Sequence, residues 1–323
     1  MKRTFIVAAA VFTALAAAGA ILASTTADKS RIGLALDGPK NDHSFRQAHY
    51  IGLTMAAAKY HLKASVVDNL TDPQAQLDAI RNLAQDDGLV IGGGAQFAKA
   101  VDAVDKSFPD VQFVVSAGVP RPAKNAHFVL TDWTGPGYVA GYLAAKFSKT
   151  GKVGFVGGAL IPPTIQGRAG FTAGAKAANP KIKVATVIVG SFIDPQKAKA
   201  ASTAQIASGA DVLYAFLDTG FAGLLKAIQE SGKDVKTIGV ILPQCSVSPK
   251  TEIADTLSNI PQLVVNTVRD YRAGKLTNKV YGIEDPSVQS VQLCPKYSTT
   301  KYKKLITTLR QKIASGKIKL PKT

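Results

Sequence analysis

Short apolar segments and helical segments alternate along this chain in two successive runs. That rhythm constrains the fold more than any single motif. In the first run, residues 32–36, 63–67, 88–94 and 111–116 read as strands, with a short one at 128–130. Residues 43–60 read as the first helix, and Asp72-Pro73 opens the second with a capping carboxylate followed by proline in the first turn. Leu77, Ile80 and Ala84 share one face of that helix, and Phe97, Val101, Val104 and Phe108 form another helical stripe. The second run reads as strand 152–158, helix 166–178, strand 184–189, helix 195–208, strand 211–216, helix 220–231 and strand 237–242. Repetition of this kind predicts α/β architecture: two doubly wound parallel-sheet domains, each covered by helices on both faces, meeting at a cleft. Helices at 261–273 and 301–315 are left to be placed on one domain or the other.

With 323 residues, 46% of them hydrophobic, the chain has material for two cores and no signature of disorder. Lys2 and Arg3 precede an apolar run over residues 5–23 and small residues to Ala27, the layout of a secretory signal peptide spanning 1–27. Cleavage after Ala20, Ala23 or Ala27 fits, and an uncleaved membrane anchor is the alternative. No cysteine lies near the cut, so the expectation is a soluble periplasmic protein without a lipid anchor. In an oxidising compartment Cys245 and Cys294 form either a single bridge or none. The net charge of +17 favours anionic partners in general. Its densest cluster, however, interleaves Lys301, Lys303, Lys304, Arg310 and Lys312 with Leu305, Ile306, Leu309 and Ile313. This reads as an amphipathic terminal helix with a solvated face. Export also argues against a nucleic-acid partner, and none is expected.

Candidate binding residues gather where strands end. Residues 36–47, LDGPKNDHSFRQ, leave the first strand with more chemistry than a turn requires. Gly94 closes a glycine loop after the third strand. Asp132 stands where the chain is due to cross domains, and Asp218-Thr219 ends a strand and opens a helix, either capping it or facing a ligand. No dinucleotide loop, phosphate loop or nucleophile elbow is present, and the glycines of IGGGA and VGGAL have the wrong spacing. His43, His49, His61 and His127 form no metal-ligand pattern. The expectation is therefore a binding protein with no catalytic group, cofactor or metal.

Six stretches in order carry a family resemblance: NDHSFRQAHYIGL, DGLVIGGGAQFAKAV with FPDVQFVV, YVAGYLAAKFSKTGKVGFVGG, GFTAGAKAANP, VGSFIDPQKAKAAS and the closing KIASGKIKLP. From Gly33 to Pro321 the chain resembles the basic membrane protein family of ABC-importer substrate-binding proteins, which includes purine-nucleoside-binding lipoproteins. The resemblance implies a type I periplasmic-binding-protein fold with a three-crossover hinge. It places residues 30–131 and 257–283 in an N-terminal lobe, and 132–256 and 284–323 in a C-terminal lobe. It implies a monomer that carries a small planar ligand, a purine nucleobase or nucleoside, to an ABC permease in the inner membrane. The alternatives are a sensor that presents its ligand to a membrane receptor, or a sugar or anionic ligand. Phe45 matches the family's stacking aromatic, with a hydrophobic plug in the hinge as its other reading. Asn41, Asp42 and Ser44 match the same loop, either reading a base edge or forming an Asx-turn. Arg46 replaces a common asparagine and offers a guanidinium to stack or to hold an anion. Phe192 and Asp194 match a further stretch, either at the ligand or in a structural role, with Asp194 capping the helix that opens at Pro195. The strand IGVILPQC departs from the nucleoside-binding pattern, placing Ile241 and Pro243 where a ribose-binding aspartate is usual, and Asn259 replaces a lysine. These departures favour a ligand without a ribose.

Overall fold

In the computed structural model, which describes residues 27–42, 45–118 and 124–323, the first run builds β1 (Arg31–Ala35), α1 (Phe45–Tyr60), β2 (Lys63–Val67), α2 (Pro73–Asp86), β3 (Leu89–Gly92), α3 (Ala98–Val104), β4 (Gln112–Ser116) and β5 (Ala126–Thr131). The second builds α4 (Thr134–Phe147), β6 (Lys152–Gly157), α5 (Pro162–Ala178), β7 (Lys183–Ile188), α6 (Pro195–Ala207), β8 (Val212–Phe216), α7 (Phe221–Ser231), β9 (Lys236–Ile241) and β10 (Glu252–Ser258). The chain then runs through α8 (Ile260–Arg272), β11 (Lys279–Tyr281), β12 (Gln289–Leu293) and α9 (Thr300–Ala314). The signal-peptide reading of residues 1–27 lies outside the described residues except at Ala27, and Ser44 also lies outside them. Among the described residues no helix is long and apolar enough to cross a membrane.

The strands form two six-stranded sheets, ordered β11-β5-β4-β3-β1-β2 and β12-β10-β9-β8-β6-β7. Every neighbouring pair is parallel except β10 with β12. Central strands such as β3 and β8 are buried along their whole length, as a sheet covered on both faces requires. The chain passes between sheets three times: after β5, after β10 and after β11. β10 stays in the second sheet to Ser258, so the second crossing comes two residues later than the expected boundary at 256.

Capping works as the sequence predicts. Asp72 accepts the Ala75 N–H ahead of Pro73, and Asp194 accepts those of Gln196 and Lys197 ahead of Pro195. The glycines of the YVAGYLAAK and GFTAGAK stretches serve helix packing: a Cβ on Gly141 would fall 1.9 Å from the Phe171 carbonyl oxygen, and one on Gly174 equally close to that of Tyr138. They let α4 and α5 touch backbone to backbone over the second sheet. Helix α9 lays Leu305, Ile306, Leu309 and Ile313 against the same core, leaving its lysines in solvent. Helix α8 packs on the first lobe, where Leu263, Val264 and Val268 join Leu53 and Ala56 of α1.

Candidate functional site

In each sheet the strand order reverses at one point, between β1 and β3 and between β6 and β8, opening a crevice beyond the carboxyl ends of the strands. The two crevices face each other across a cavity of about 390 Å³. The first lobe contributes Asp37, Phe45, Arg46, Gly94, Gln96 and Ala117 to its wall, and the second contributes Ile161, Pro162, Pro163, Phe192, Phe216, Asp218 and Ile241. Thr131, Trp133, Ser258 and Ile260 come from the crossing segments, so a ligand here would touch the hinge as well as both lobes.

The wall is mainly apolar and aromatic. Trp133 is only 4% exposed and meets Phe216 edge to face, with ring centroids 5.1 Å apart. Two wall residues hold left-handed backbone without being glycine: Ala117 at φ 58° after β4 and Ile241 at φ 68° closing β9. For β-branched Ile241 this conformation is strained, and such strain gathers where a site over-determines its backbone.

Phe45, Arg46, Gly94, Phe192 and Asp218 of the sequence-predicted set line the cavity together. Asn41, Asp42, Asp132 and Thr219 do not reach its wall, and Ser44 lies outside the described residues. Asn41 is exposed on the loop. Asp42 accepts the backbone N–H groups of Arg46 and Gln47 at 3.3 and 3.0 Å and so caps α1. Asp132 accepts the Thr134 N–H and hydroxyl at 2.9 and 2.6 Å, capping α4. Thr219 lies outside the cavity wall, on an adjoining chamber.

Arg46 does not present a bare guanidinium. Its Nε and Nη2 donate to the two Asp37 oxygens at 2.7 and 3.0 Å, and Nη1 donates to Asp42 at 3.2 Å. Hydrogen bonding to Asp37 raises its pKa further. Gly38 leaves room for the fork, since a Cβ there would meet Arg46 Nε at 2.7 Å. Arg46 thus fixes the loop and shapes the wall, and its charge is already matched by carboxylates.

Phe45 is braced from behind by His49, whose ring centroid lies 4.4 Å from its own. The imidazole is fully buried, with Nδ1 2.8 Å from the Phe45 carbonyl and Nε2 2.8 Å from Ser116 Oγ. A carbonyl only accepts, so Nδ1 carries the proton and Nε2 accepts from the serine hydroxyl. Burial lowers the His49 pKa from 6.5 to about 4. Because the folded pKa is depressed, its contribution to stability is complete above pH 6.5 and is lost as pH falls toward 4, with about 2 kcal/mol gone near pH 5. An NMR titration should find the His49 ring neutral down to about pH 4; titration near 6.5 would mean that the brace is open.

Trp133 and Phe216 were not singled out in the sequence, because an aromatic at a strand end reads as core. Their position at the carboxyl ends of β5 and β8, in the same layer as the 36–47 loop, is the signal that marks them. Cys245 and Cys294 are joined in a disulfide. With Asp255 they are the only metal-type grouping among the described residues, and the bridge consumes both sulfurs.

Two parallel-sheet lobes, joined by three crossings and enclosing an aromatic cavity, define a solute-binding protein. The chain belongs to the Bmp family of PnrA-like ABC transporter substrate-binding proteins, whose family model matches residues 29–323. It is 26% identical to basic membrane protein A of Borreliella burgdorferi, over 90% of this chain and 87% of that one. It is 31% identical to the ABC transporter nucleoside-binding protein BmpA of Lactococcus lactis subsp. cremoris, over 62% of this chain and 59% of that one. A purine-binding protein of Brucella abortus is 25% identical over 70% of this chain and 64% of its own length. Among solved structures, a transcriptional activator of the comK gene from Bacillus halodurans superposes with a TM-score of 0.79 at 23% identity, over 90% of this chain and all of the other. An ABC transporter solute-binding protein from Conexibacter woesei gives 0.73 at 25% identity, over 90% and 98%.

Proposed function

We propose that this protein is an exported, monomeric receptor of the periplasm. It closes its lobes, residues 30–131 with 259–283 and 132–258 with 284–323, on a planar heteroaromatic ligand of the purine type. It then delivers that ligand to an inner-membrane ABC permease. The observation that carries this reading is the aromatic wall drawn from both lobes and the hinge: Phe45 from one side, Phe192 and Phe216 from the other, and Trp133 between them. Flat π-surfaces on both sides suit a flat ligand, and contacts made by both lobes stabilise the closed form. The names of the nucleoside- and purine-binding relatives point the same way. Ile241 offers an alkyl group where a ribose would need an acceptor, so a free base should bind better than its nucleoside.

The test is a thermal-shift and calorimetry panel of nucleobases, nucleosides, sugars and small anions on protein stripped of ligand by unfolding and refolding. Adenine or guanine should raise the midpoint in proportion to the logarithm of their concentration, and more than adenosine or guanosine do. Phe45→Ala should weaken base binding about tenfold or more, in keeping with roughly 1–3 kcal/mol of stacking per base. Silence from every purine would remove the ligand class, and unchanged affinity in the variant would remove Phe45 from the site.

A further inference from the structure

Beside the main cavity, and sharing Asp218 and Ile241 with it, lies a second chamber of about 330 Å³. It opens between α7, which contributes Ala222 and Leu225, and the segment after β9, which contributes Leu242 and Val247. Two ties fix that segment to the second sheet. Asp255 Oδ2 accepts the Gln244 N–H at 3.0 Å, and Cys245 is bonded to Cys294 at the end of β12. Ile241 stands in the partition in its strained left-handed conformation. Val247 remains 60% exposed at the chamber's edge, an apolar surface with nothing covering it.

We infer that this chamber is a subsite of the ligand cleft, and that it takes an apolar alkyl or aryl substituent carried by the planar ligand. The inference rests on the proposed function for the planar part, whereas the chamber itself stands on its own geometry. A base seated in the cleft reaches the chamber past Ile241, at the point where a sugar would find no acceptor. The substituent gains by covering Leu225, Leu242 and Val247 rather than by hydrogen bonding. The chain would thus select apolar-substituted bases over ribosylated ones.

The experiment has two arms. Calorimetry compares adenine, adenosine and benzyladenine on the wild type and on Ala222→Phe, which fills the chamber from an exposed helix position. Benzyladenine should bind the wild type about tenfold or more tighter than adenine. In Ala222→Phe that advantage should vanish while adenine is unaffected. In the second arm, benzyl alcohol is titrated into methyl-labelled protein and read at Leu225, Leu242 and Val247, which requires no purine at all. Shifts at these methyls that disappear in Ala222→Phe support the chamber even if no purine binds, in which case only the purine reading falls. Absence of those shifts overturns the chamber. If adenine binds and benzyladenine binds no tighter, the chamber is not a subsite of the cleft and the inference is overturned.

Discussion

Replacing Cys245 and Cys294 together by serine is expected to lower the unfolding free energy by about 4 kcal/mol. The bridge spans a sequence separation of 49 residues, and closing a loop of that size removes roughly this much chain entropy from the unfolded state. The loop is not an ordinary one. Between the two cysteines the chain leaves the second lobe after β10, builds α8 and β11 on the first, and returns as β12. Two of the three hinge crossings therefore lie inside a single covalent ring. Urea unfolding of the double variant and of reduced wild type should agree, both with a midpoint well below that of the oxidised protein. Coincident curves for oxidised and reduced wild type would show that the bridge does not restrain the chain. Ligand affinity in the variant is a separate readout, because Cys245 also ties down the segment carrying Val247.

The architecture was legible because both sheets consist mainly of short, uniformly apolar strands separated by capped helices. β10 escaped notice for a physical reason: EIADTLS places Glu252 and Asp255 in a strand buried at every residue but Leu257, so hydropathy conceals it. β11 has three residues and β12 is an antiparallel edge, so neither shows the pattern of the rest. Strand β5 is longer than its apolar centre, since Ala126, His127 and Thr131 extend it at both ends. At the site, the loop after β1 was legible because phenylalanine and arginine exceed what a turn needs. The role of Arg46 was not, because its principal partner is nine residues away and only the bend at Gly38 brings Asp37 under the guanidinium. Asp42 and Asp132 show the limit of residue-type reasoning: a carboxylate before a helix serves equally as a cap or as a ligand contact, and here both cap. Ile241 stood out only against the family pattern, and the structure adds that it holds a strained backbone in the cavity wall.

The stability of the protein should fall as pH rises from about 6.5 through about 8, and Glu252→Gln should abolish that fall. Glu252 and Asp255 are both fully buried, and a register shift in β10 between Glu252 and Ala254 lets residues three apart face the same way. Their free oxygens converge over Gly239: a Cβ on that glycine would stand 3.0 Å from Glu252 Oε1 and 2.5 Å from Asp255 Oδ1. Two carboxylates this close in an apolar interior cannot both be ionised. Asp255 already accepts the Gln244 N–H, so it takes the charge and Glu252 keeps the proton, which it donates to its neighbour. Burial first, and the nearby Asp255 charge with it, push the Glu252 pKa up from 4.5 to about 8, although the Thr237 hydroxyl donates to its other oxygen. The folded state thus holds a proton that the unfolded chain has released, so stability is lost as pH climbs through the folded value. Asp255 and Asp87 act in the same direction but are pushed up only to about 6. His49 acts in the opposite direction and has finished above 6.5. The window from about 6.5 to 8 therefore isolates Glu252. Glutamine retains a donor toward Asp255 and an acceptor for Thr237 while removing the proton that titrates. Thermal midpoints measured across that window should decline for the wild type and stay level for Glu252→Gln. A level wild-type profile would mean that Glu252 does not hold its proton into this range.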